Sequence, residues 1–327
     1  MKGAVLLVVL MLAACSQTAP VTARPSLTPP SPSPASTPAP SDLPLAAVSF
    51  SCRLAILTTD GQGAFVSLPA GTVSLDPNGR GLLGNGGTYY DRAFSRWLPV
   101  QRQAVSPNGA QYAYQEYKVP GTPGRARLHV VDVPTGKDKL YELGPSGESY
   151  VIVDFAGVGI WLSYAGYESP RSGLFLLDLG TGALNDGGRP GILDPVAGGI
   201  GVFWFTDGGP NPQMSAGMGS VIPARVLRLT ISDGKTETWF TKPGSYLRVL
   251  GADLAGHPII GAYDEVVWLA SSPTEAKVIG LPKGYYQSIA DSHGIWFGSQ
   301  QGVYLYSDAG KLQKVSNQPG YPAQGCF

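Results

Sequence analysis

Residues 127–143 read RLHVVDVPTGKDKLYEL and contain the unit on which the fold depends. An apolar strand ends at Asp132, a turn runs through Val133-Pro134-Thr135-Gly136, and a second strand follows. An aspartate that opens such a turn accepts backbone N–H bonds, and a glycine at the fifth position tolerates a positive φ. The segment therefore predicts a β-hairpin.

The same unit occurs five more times along the chain. Its turns open at Asp91, Asp178, Thr230, Ala270 and Tyr306, so that successive openings lie 41, 46, 52, 40 and 36 residues apart. Short aromatic and β-branched strands precede the last five of the six hairpins; they read QYAY, GIWLSY, GVFWFT, HPIIGAY and GIWFGS. A recurrence near 43 residues is typical of propeller blades.

The repeat predicts an all-β fold. One hairpin cannot bury both of its faces, whereas four-stranded sheets stacked radially can. Six repeats of 43 residues fill about 258 residues, close to the 265 between residues 52 and 316. We therefore expect a six-bladed β-propeller, with a pair of β-sandwiches as the alternative fold. The high content of glycine (44) and proline (29) suits the many tight turns of either fold.

Three segments resemble those of known propellers. Ser106-Pro107-Asn108-Gly109, which precedes QYAY, resembles the blade motif of the TolB and WD40-like families, where aspartate takes the third position. Residues 87–100 are similar to a segment of uncharacterised secreted bacterial proteins. Residues 293–306 (HGIWFGSQQGVYLY) resemble repeats of streptogramin-lyase-like and sensor propellers. The resemblance implies an architecture and transfers no catalytic residue.

The N-terminus predicts a lipoprotein signal peptide over residues 1–14. Met1-Lys2 precedes eleven apolar residues, which suit a secretory signal and are too few to span a bilayer. Residues 12–15 (LAAC) resemble the bacterial lipobox, which implies that Cys15 is lipidated. We expect a lipid-anchored protein on the extracytoplasmic face of a bacterial cell membrane or outer membrane. The alternative is an ordinary signal peptide with an incidental Cys15.

The residues after the signal predict a tether. Residues 15–46 are rich in proline, serine and threonine and offer few apolar side chains to bury, so this stretch is expected to be disordered. The propeller domain is expected to occupy residues 47–327.

The other two cysteines lie at opposite ends of this domain. Cys52 and Cys326 form an even pair in an oxidising compartment, which predicts a disulfide that joins the two ends. The alternative is two buried free thiols. The first blade, residues 52–100, and the last blade, which ends at residue 316, are each expected to be complete without a strand from the other end of the chain. The disulfide is then expected to close the ring in place of strand exchange between the termini.

Composition and motifs favour binding over catalysis. The formal net charge is zero, with 23 basic and 23 acidic residues, so no nucleic-acid partner is expected. The sequence has no G-x-S-x-G elbow, HExxH helix or EF-hand loop. We expect a non-catalytic binding or sensing propeller for a glycan, peptide or protein, without metal or cofactor. A polysaccharide lyase or hydrolase and a scaffold of an envelope assembly are the alternatives.

One set of candidate binding residues surrounds the first turn opening. Tyr90, Arg92, Arg96 and Trp97 flank Asp91, and aromatic residues with arginine are favoured at recognition surfaces. Trp97 is equally suited to packing within a blade. A basic loop at residues 117–127 is a further candidate.

The remaining candidates lie in later repeats. The insertion of residues 207–223 carries Met214 and Met218, which can form an adaptable contact surface. His257 and His293 open equivalent strands of adjacent blades and are expected to face the same end of the ring. His129 alternates with apolar residues, which predicts a packed or edge histidine.

Overall fold

A computed structural model of the chain defines its fold. It describes residues 42–80, 87–116, 122–164, 173–187, 193–210, 221–262 and 266–327. Within these residues the regular structure consists of strands and two single-turn 3-10 helices, Pro77–Gly79 and Arg102–Ala104. None of the described helices is long and apolar enough to cross a membrane. The predicted signal peptide, Cys15 and most of the predicted tether lie outside the described residues.

The strands are short and follow one another as antiparallel segments. They are β1 (Cys52–Thr58), β2 (Gly63–Leu68), β3 (Thr72–Leu75), β4 (Tyr89–Asp91), β5 (Arg96–Leu98), β6 (Gln111–Gln115), β7 (Ala126–Asp132), β8 (Asp138–Leu143), β9 (Tyr150–Ala156), β10 (Gly159–Tyr164), β11 (Leu174–Leu177), β12 (Leu184–Asp186), β13 (Leu193–Gly199), β14 (Val202–Pro210), β15 (Val221–Thr230), β16 (Thr236–Thr241), β17 (Leu247–Ala252), β18 (Pro258–Ala262), β19 (Val267–Ser272), β20 (Glu275–Ile279), β21 (Gln287–Asp291), β22 (Gly294–Ser299), β23 (Gly302–Ser307), β24 (Leu312–Ser316) and β25 (Gly320–Pro322).

Strand pairing divides the chain into consecutive sheets. Strands β9–β12, β13–β16 and β17–β20 each form a four-stranded antiparallel sheet, and β6–β8 form a three-stranded one, which an isolated bridge between Val105 and Tyr112 extends. Strands β4 and β5 form a hairpin of their own. The largest sheet joins β21–β24 to a second group, β25-β1-β2-β3, through a bridge between Ser299 and Gly320.

The buried side chains join these groups into a closed ring. Each apolar cluster lies between one group and the next in the chain, such as that of Trp161 on β10 with Phe203 on β14. The last group packs on the first, where Trp296 of β22 lies in one cluster with Leu54 of β1. This cyclic stacking of antiparallel sheets is the architecture of a β-propeller.

The described residues do not confirm the expected count of six blades. Their strands form seven successive groups, one of which is only the β4–β5 hairpin. The repeat placed residues 52–100 in one blade. In the structure β1–β3 and β4–β5 are separate groups, with Phe65 of β2 and Trp97 of β5 packed between them. None of the six turn openings falls within β1–β3, so the repeat did not mark this group as a blade of its own.

The predicted turn chemistry is confirmed. Gly136 has a φ of 69° and its N–H donates to the carbonyl of Asp132 (2.8 Å), while the Asp132 carboxylate accepts the N–H of Thr135 (2.9 Å). Gly182 repeats this geometry with a φ of 75°. In the copy that opens at Asp91 the fifth position is Ser95, and its φ of 48° lies in the left-handed region that disfavours side chains.

Both a strand and a disulfide close the ring. The predicted bond between Cys52 and Cys326 is present, with Cα atoms 5.7 Å apart. The expectation that it replaces strand exchange is wrong, because β25 adds to the edge of β1. Beyond β25, the backbones of Arg53 and Phe327 exchange two hydrogen bonds of 2.8 and 3.0 Å. The tail pairs because β1 would otherwise present an open edge to the ring.

Contacts of the ring begin before residue 47. The ammonium group of Lys314, a residue only 3% exposed, pairs with the carboxylate of Asp42 at 2.8 Å. This hydrogen bond lowers the pKa of Asp42. A parallel bridge joins Leu45 to Lys314. The last residues of the predicted tether therefore lie against β24.

Candidate functional site

A cavity of about 430 Å³ lies beside the β4–β5 hairpin. Its walls come from four parts of the chain: β4 with the turn that follows it, the 3-10 turn of Arg102, the turn at residues 106–109, and the segment after β25. The side chains that give it chemical character are Tyr89, Asp91, Arg92, Arg102 and Gln324. This volume is in the range of small-molecule sites.

Asp91 is the buried acid of this cavity. The residue is 3% exposed, and its Oδ1 accepts the N–H of Ala93 at 2.9 Å. Its Oδ2 is fully buried and has no hydrogen-bond partner within the described part of the chain. A Cβ at Gly109 would lie 2.9 Å from both carboxylate oxygens, so the glycine leaves room for this carboxylate. A buried charged oxygen without a donor is unfavourable for folding.

Two guanidinium groups line the same cavity, and aromatic rings hold both in place. The guanidinium carbon of Arg102 lies 5.4 Å from the centre of the Tyr89 ring, and its Nη1 donates to the carbonyl of Val105 at 3.0 Å. The guanidinium carbon of Arg92 lies 5.2 Å from the centre of the Phe327 ring. Stacking on aromatic rings leaves most guanidinium N–H groups free for a ligand.

The closure of the ring completes the cavity. Gln324 lines it and donates from its side-chain amide to the hydroxyl of Tyr89. Burial raises the pKa of Tyr89, so its phenol stays neutral at physiological pH. Gln324 lies only two residues before Cys326, whose N–H donates to the Asp291 carboxylate. The tail that closes the ring is therefore also one wall of the site.

The structure separates the candidate residues around the first turn. Arg92 lines the cavity, as described. Tyr90 and Trp97 are 7% and 6% exposed and pack between the groups of β1–β3 and β4–β5. The Trp97 indole donates to Asp76 at 3.0 Å. Arg96 donates to the carbonyl of Val133 at 3.1 Å. The aromatic pair therefore belongs to the core between these two groups, and neither ring lines the cavity.

His257 and His293 occupy equivalent turns, before β18 and before β22. Each ring is paired with an aspartate: His257 Nδ1 lies 3.0 Å from Asp253, and His293 Nδ1 lies 3.3 Å from Asp291. His293 also stacks on Phe50, with ring centres 4.1 Å apart. Neither histidine lines the cavity. In the part of the chain that is described, no three His, Cys, Asp or Glu side chains are arranged to hold a metal.

His129 is held between two carboxylates on the face of β6–β8. Its Nδ1 lies 2.7 Å from Asp138 and its Nε2 lies 3.0 Å from Glu116, while the ring stacks on Tyr114 at 4.6 Å. Burial by itself would lower the pKa of His129. The hydrogen bonds that the ring makes to the Glu116 and Asp138 carboxylates outweigh that effect and raise the pKa.

Two other candidates fall wholly or partly outside the described residues. Met214 and Met218 belong to residues 211–220, which lie outside the described residues, as do residues 117–121 of the basic loop. At the end of that loop Arg127 forms an ion pair with Glu116 at 3.1 Å.

Arg102 and Gln324 are site residues that the sequence did not indicate. Arg102 belongs to a 3-10 turn outside the repeat pattern, and nothing in its neighbours marks it as a ligand-facing residue. Gln324 had one signal, because it is two residues from a cysteine whose predicted partner lies at the opposite end of the domain.

Comparisons with known proteins give likenesses only among solved structures, since no protein-family model and no curated protein sequence matches the chain. The acylaminoacyl peptidase of Pyrococcus horikoshii aligns over 77% of this chain at 12% identity, with a TM-score of 0.43; the chain spans 41% of that protein. An oligogalacturonate lyase in complex with manganese aligns over 78% of this chain and 70% of its own, at 12% identity and a TM-score of 0.42.

BamB from Moraxella catarrhalis aligns over 86% of this chain and 92% of its own, at 14% identity and a TM-score of 0.38. With TM-scores below 0.5, these likenesses carry no argument about activity. The propeller architecture rests on the sheet order and on the cyclic packing described above, and the resemblance to TolB and WD40-like blades remains one of architecture.

Proposed function

We propose that this protein is a non-catalytic binding propeller that takes a small polar ligand in the 430 Å³ cavity. The observation that carries the proposal is Asp91: a buried aspartate, one of whose carboxylate oxygens has no donor among the described residues, belongs to the lining of a cavity that two arginines also line. Buried polar groups without partners are rare in native proteins and concentrate where function requires them.

The lining groups suit binding better than catalysis. Arginine does not give up its proton at physiological pH, and the raised pKa of Tyr89 keeps its phenol protonated. Asp91 is the single carboxyl group among the lining residues. Glycoside hydrolysis typically uses a pair of carboxyl groups that flank the scissile bond, and no second carboxyl group lines this cavity.

The proposal includes display at a bacterial envelope. The lipobox-like LAAC at residues 12–15 and the proline-rich residues 15–46 support it, as does a disulfide suited to an oxidising compartment. In a bacterial host, Cys15→Ser is expected to move the protein from the membrane fraction to the soluble one. If the variant stayed with the membrane as wild type does, lipid attachment at Cys15 would be wrong.

The ligand site is tested by thermal shift on the full chain with a panel of sugars, sugar acids, amino acids and dipeptides. A ligand at 100 times its dissociation constant adds about 2.7 kcal/mol of stability. We expect Arg92→Ala to abolish the shift. Arg248→Ala is the matched control, because Arg248 stacks on Tyr285 at 4.0 Å and does not line the cavity.

Two results would refute the proposed function. One is the absence of a shift with every member of the panel on a protein that melts cooperatively. The other is an equal shift in the Arg92→Ala and Arg248→Ala variants. Chemical conversion of a bound ligand, followed by mass spectrometry, would replace the binding role with an enzymatic one.

A further inference from the structure

We infer that the cavity binds a small organic acid: Arg92 and Arg102 take its carboxylate, and Asp91 takes a hydrogen-bond donor next to that carboxylate. The inference rests on the proposed function, since it assigns the ligand class of the same cavity.

The charges of the cavity favour an anion. Its charged lining groups are two guanidiniums and one carboxylate, which leaves an excess of one positive charge. Neither Arg92 nor Arg102 forms an ion pair with any described residue, and both are held by stacking on rings. A planar guanidinium presents N–H groups that match the two oxygens of a carboxylate.

Asp91 adds a second requirement that a simple anion does not meet. Its Oδ2 needs a donor, and no described side chain or backbone N–H supplies one. A hydroxyl or an ammonium group next to the ligand carboxylate is such a donor. The shared chemistry is therefore that of hydroxy acids and amino acids, and sugar acids belong to the first kind.

Gly109 leaves the space that the Asp91 carboxylate occupies. A side chain at Gly109 would displace Asp91, and the φ of 73° at that glycine also disfavours one. An asparagine at position 91 would keep the acceptor for Ala93 and remove the buried charge. Asp91→Asn therefore separates the role of Asp91 in its turn, which the amide oxygen can keep, from a role in ligand binding that needs the carboxylate.

The test is isothermal titration of the full chain with four probes. D-Glucuronate carries hydroxyls and a carboxylate, and L-serine carries an ammonium group and a carboxylate. D-Glucose lacks the carboxylate, and acetate lacks the donor. We expect binding of glucuronate, serine or both, with acetate and glucose at least tenfold weaker. Binding of glucuronate alone identifies the sugar-acid source, and binding of serine alone the amino-acid source.

Variants then assign the roles. Asp91→Asn is expected to weaken the bound probe at least tenfold while the melting temperature stays equal or rises, and Arg92→Gln to weaken it at least tenfold. Asp253→Asn is the matched control: this aspartate also caps a turn, pairs with His257 and lies outside the cavity. It is expected to leave the affinity unchanged.

Failure of the inference is distinguishable from failure of the proposed function. Glucose binding as tightly as glucuronate, acetate binding as tightly as either acid, or full affinity in Asp91→Asn would overturn the ligand class. A neutral ligand found in the wider panel, with no affinity for the four probes, would also overturn only the ligand class. The absence of any ligand in both panels would overturn both.

Discussion

Replacing both cysteines of the Cys52–Cys326 disulfide by alanine is expected to destabilise the propeller through its unfolded state. In the folded state β25 still pairs with β1, and the backbones of Arg53 and Phe327 still exchange their two hydrogen bonds. The native ring therefore has the means to stay closed. The unfolded chain, in contrast, loses a cross-link between its two ends and gains conformational entropy.

The sequence separation sets the magnitude. The two cysteines are 274 residues apart. In the chain-entropy model a loop of that length corresponds to about 5–6 kcal/mol, and removal of native disulfides typically costs about 2–5 kcal/mol. We expect the free energy of unfolding of the double variant to fall by about 3–6 kcal/mol.

Urea unfolding followed by tryptophan fluorescence measures this loss. The six tryptophans of the chain report on the core, and the m-value is expected to rise because the unfolded variant exposes more surface. Reduced wild-type protein is the matched control, since it reaches the same uncross-linked state without a substitution. A loss below about 1 kcal/mol with an unchanged m-value would refute the reasoning, because it would show that the unfolded chain gains little conformational entropy when the cross-link is removed.

Three further predictions use the same measurement. Asp291→Ala is expected to lower the free energy of unfolding by about 3 kcal/mol, and Asp291→Asn by less. The reason is that the carboxylate accepts hydrogen bonds from the Trp296 indole (2.7 Å) and from a backbone N–H of the closing tail. Equal losses in the two variants would contradict this. Ser95→Gly is expected to add about 0.5–1 kcal/mol by relieving a φ of 48°, and a loss would show that Ser95 makes a compensating contact. The raised pKa of His129 means that its charged form stabilises the fold fully below the ordinary value near pH 6.5, and that this contribution is lost as pH rises through the folded-state value. From pH 6 to 8 wild type is therefore expected to lose more stability than His129→Gln, and parallel pH profiles would contradict a stabilising role of charged His129 between Glu116 and Asp138.

The sequence predicted those parts of the fold that depend on near neighbours. The turn from Asp132 to Gly136 has the expected hydrogen bonds and positive φ, because the aspartate and the glycine are four residues apart and act on the same backbone. The all-β class follows from the repetition of such turns. The pairing of Cys52 with Cys326 was predictable for another reason, since the domain offers no other cysteine.

Only the tertiary structure decided the division into groups and the composition of the cavity. The edge that β25 completes, the burial of Tyr90 and Trp97, and the meeting of Asp91 with Arg102 and Gln324 all require segments that are distant in sequence to be close in space. Local turn chemistry specifies each hairpin, but it does not say which neighbour covers a face or which edge receives the tail. Those outcomes follow from burying every apolar face and pairing every edge at once, which is a property of the closed ring as a whole.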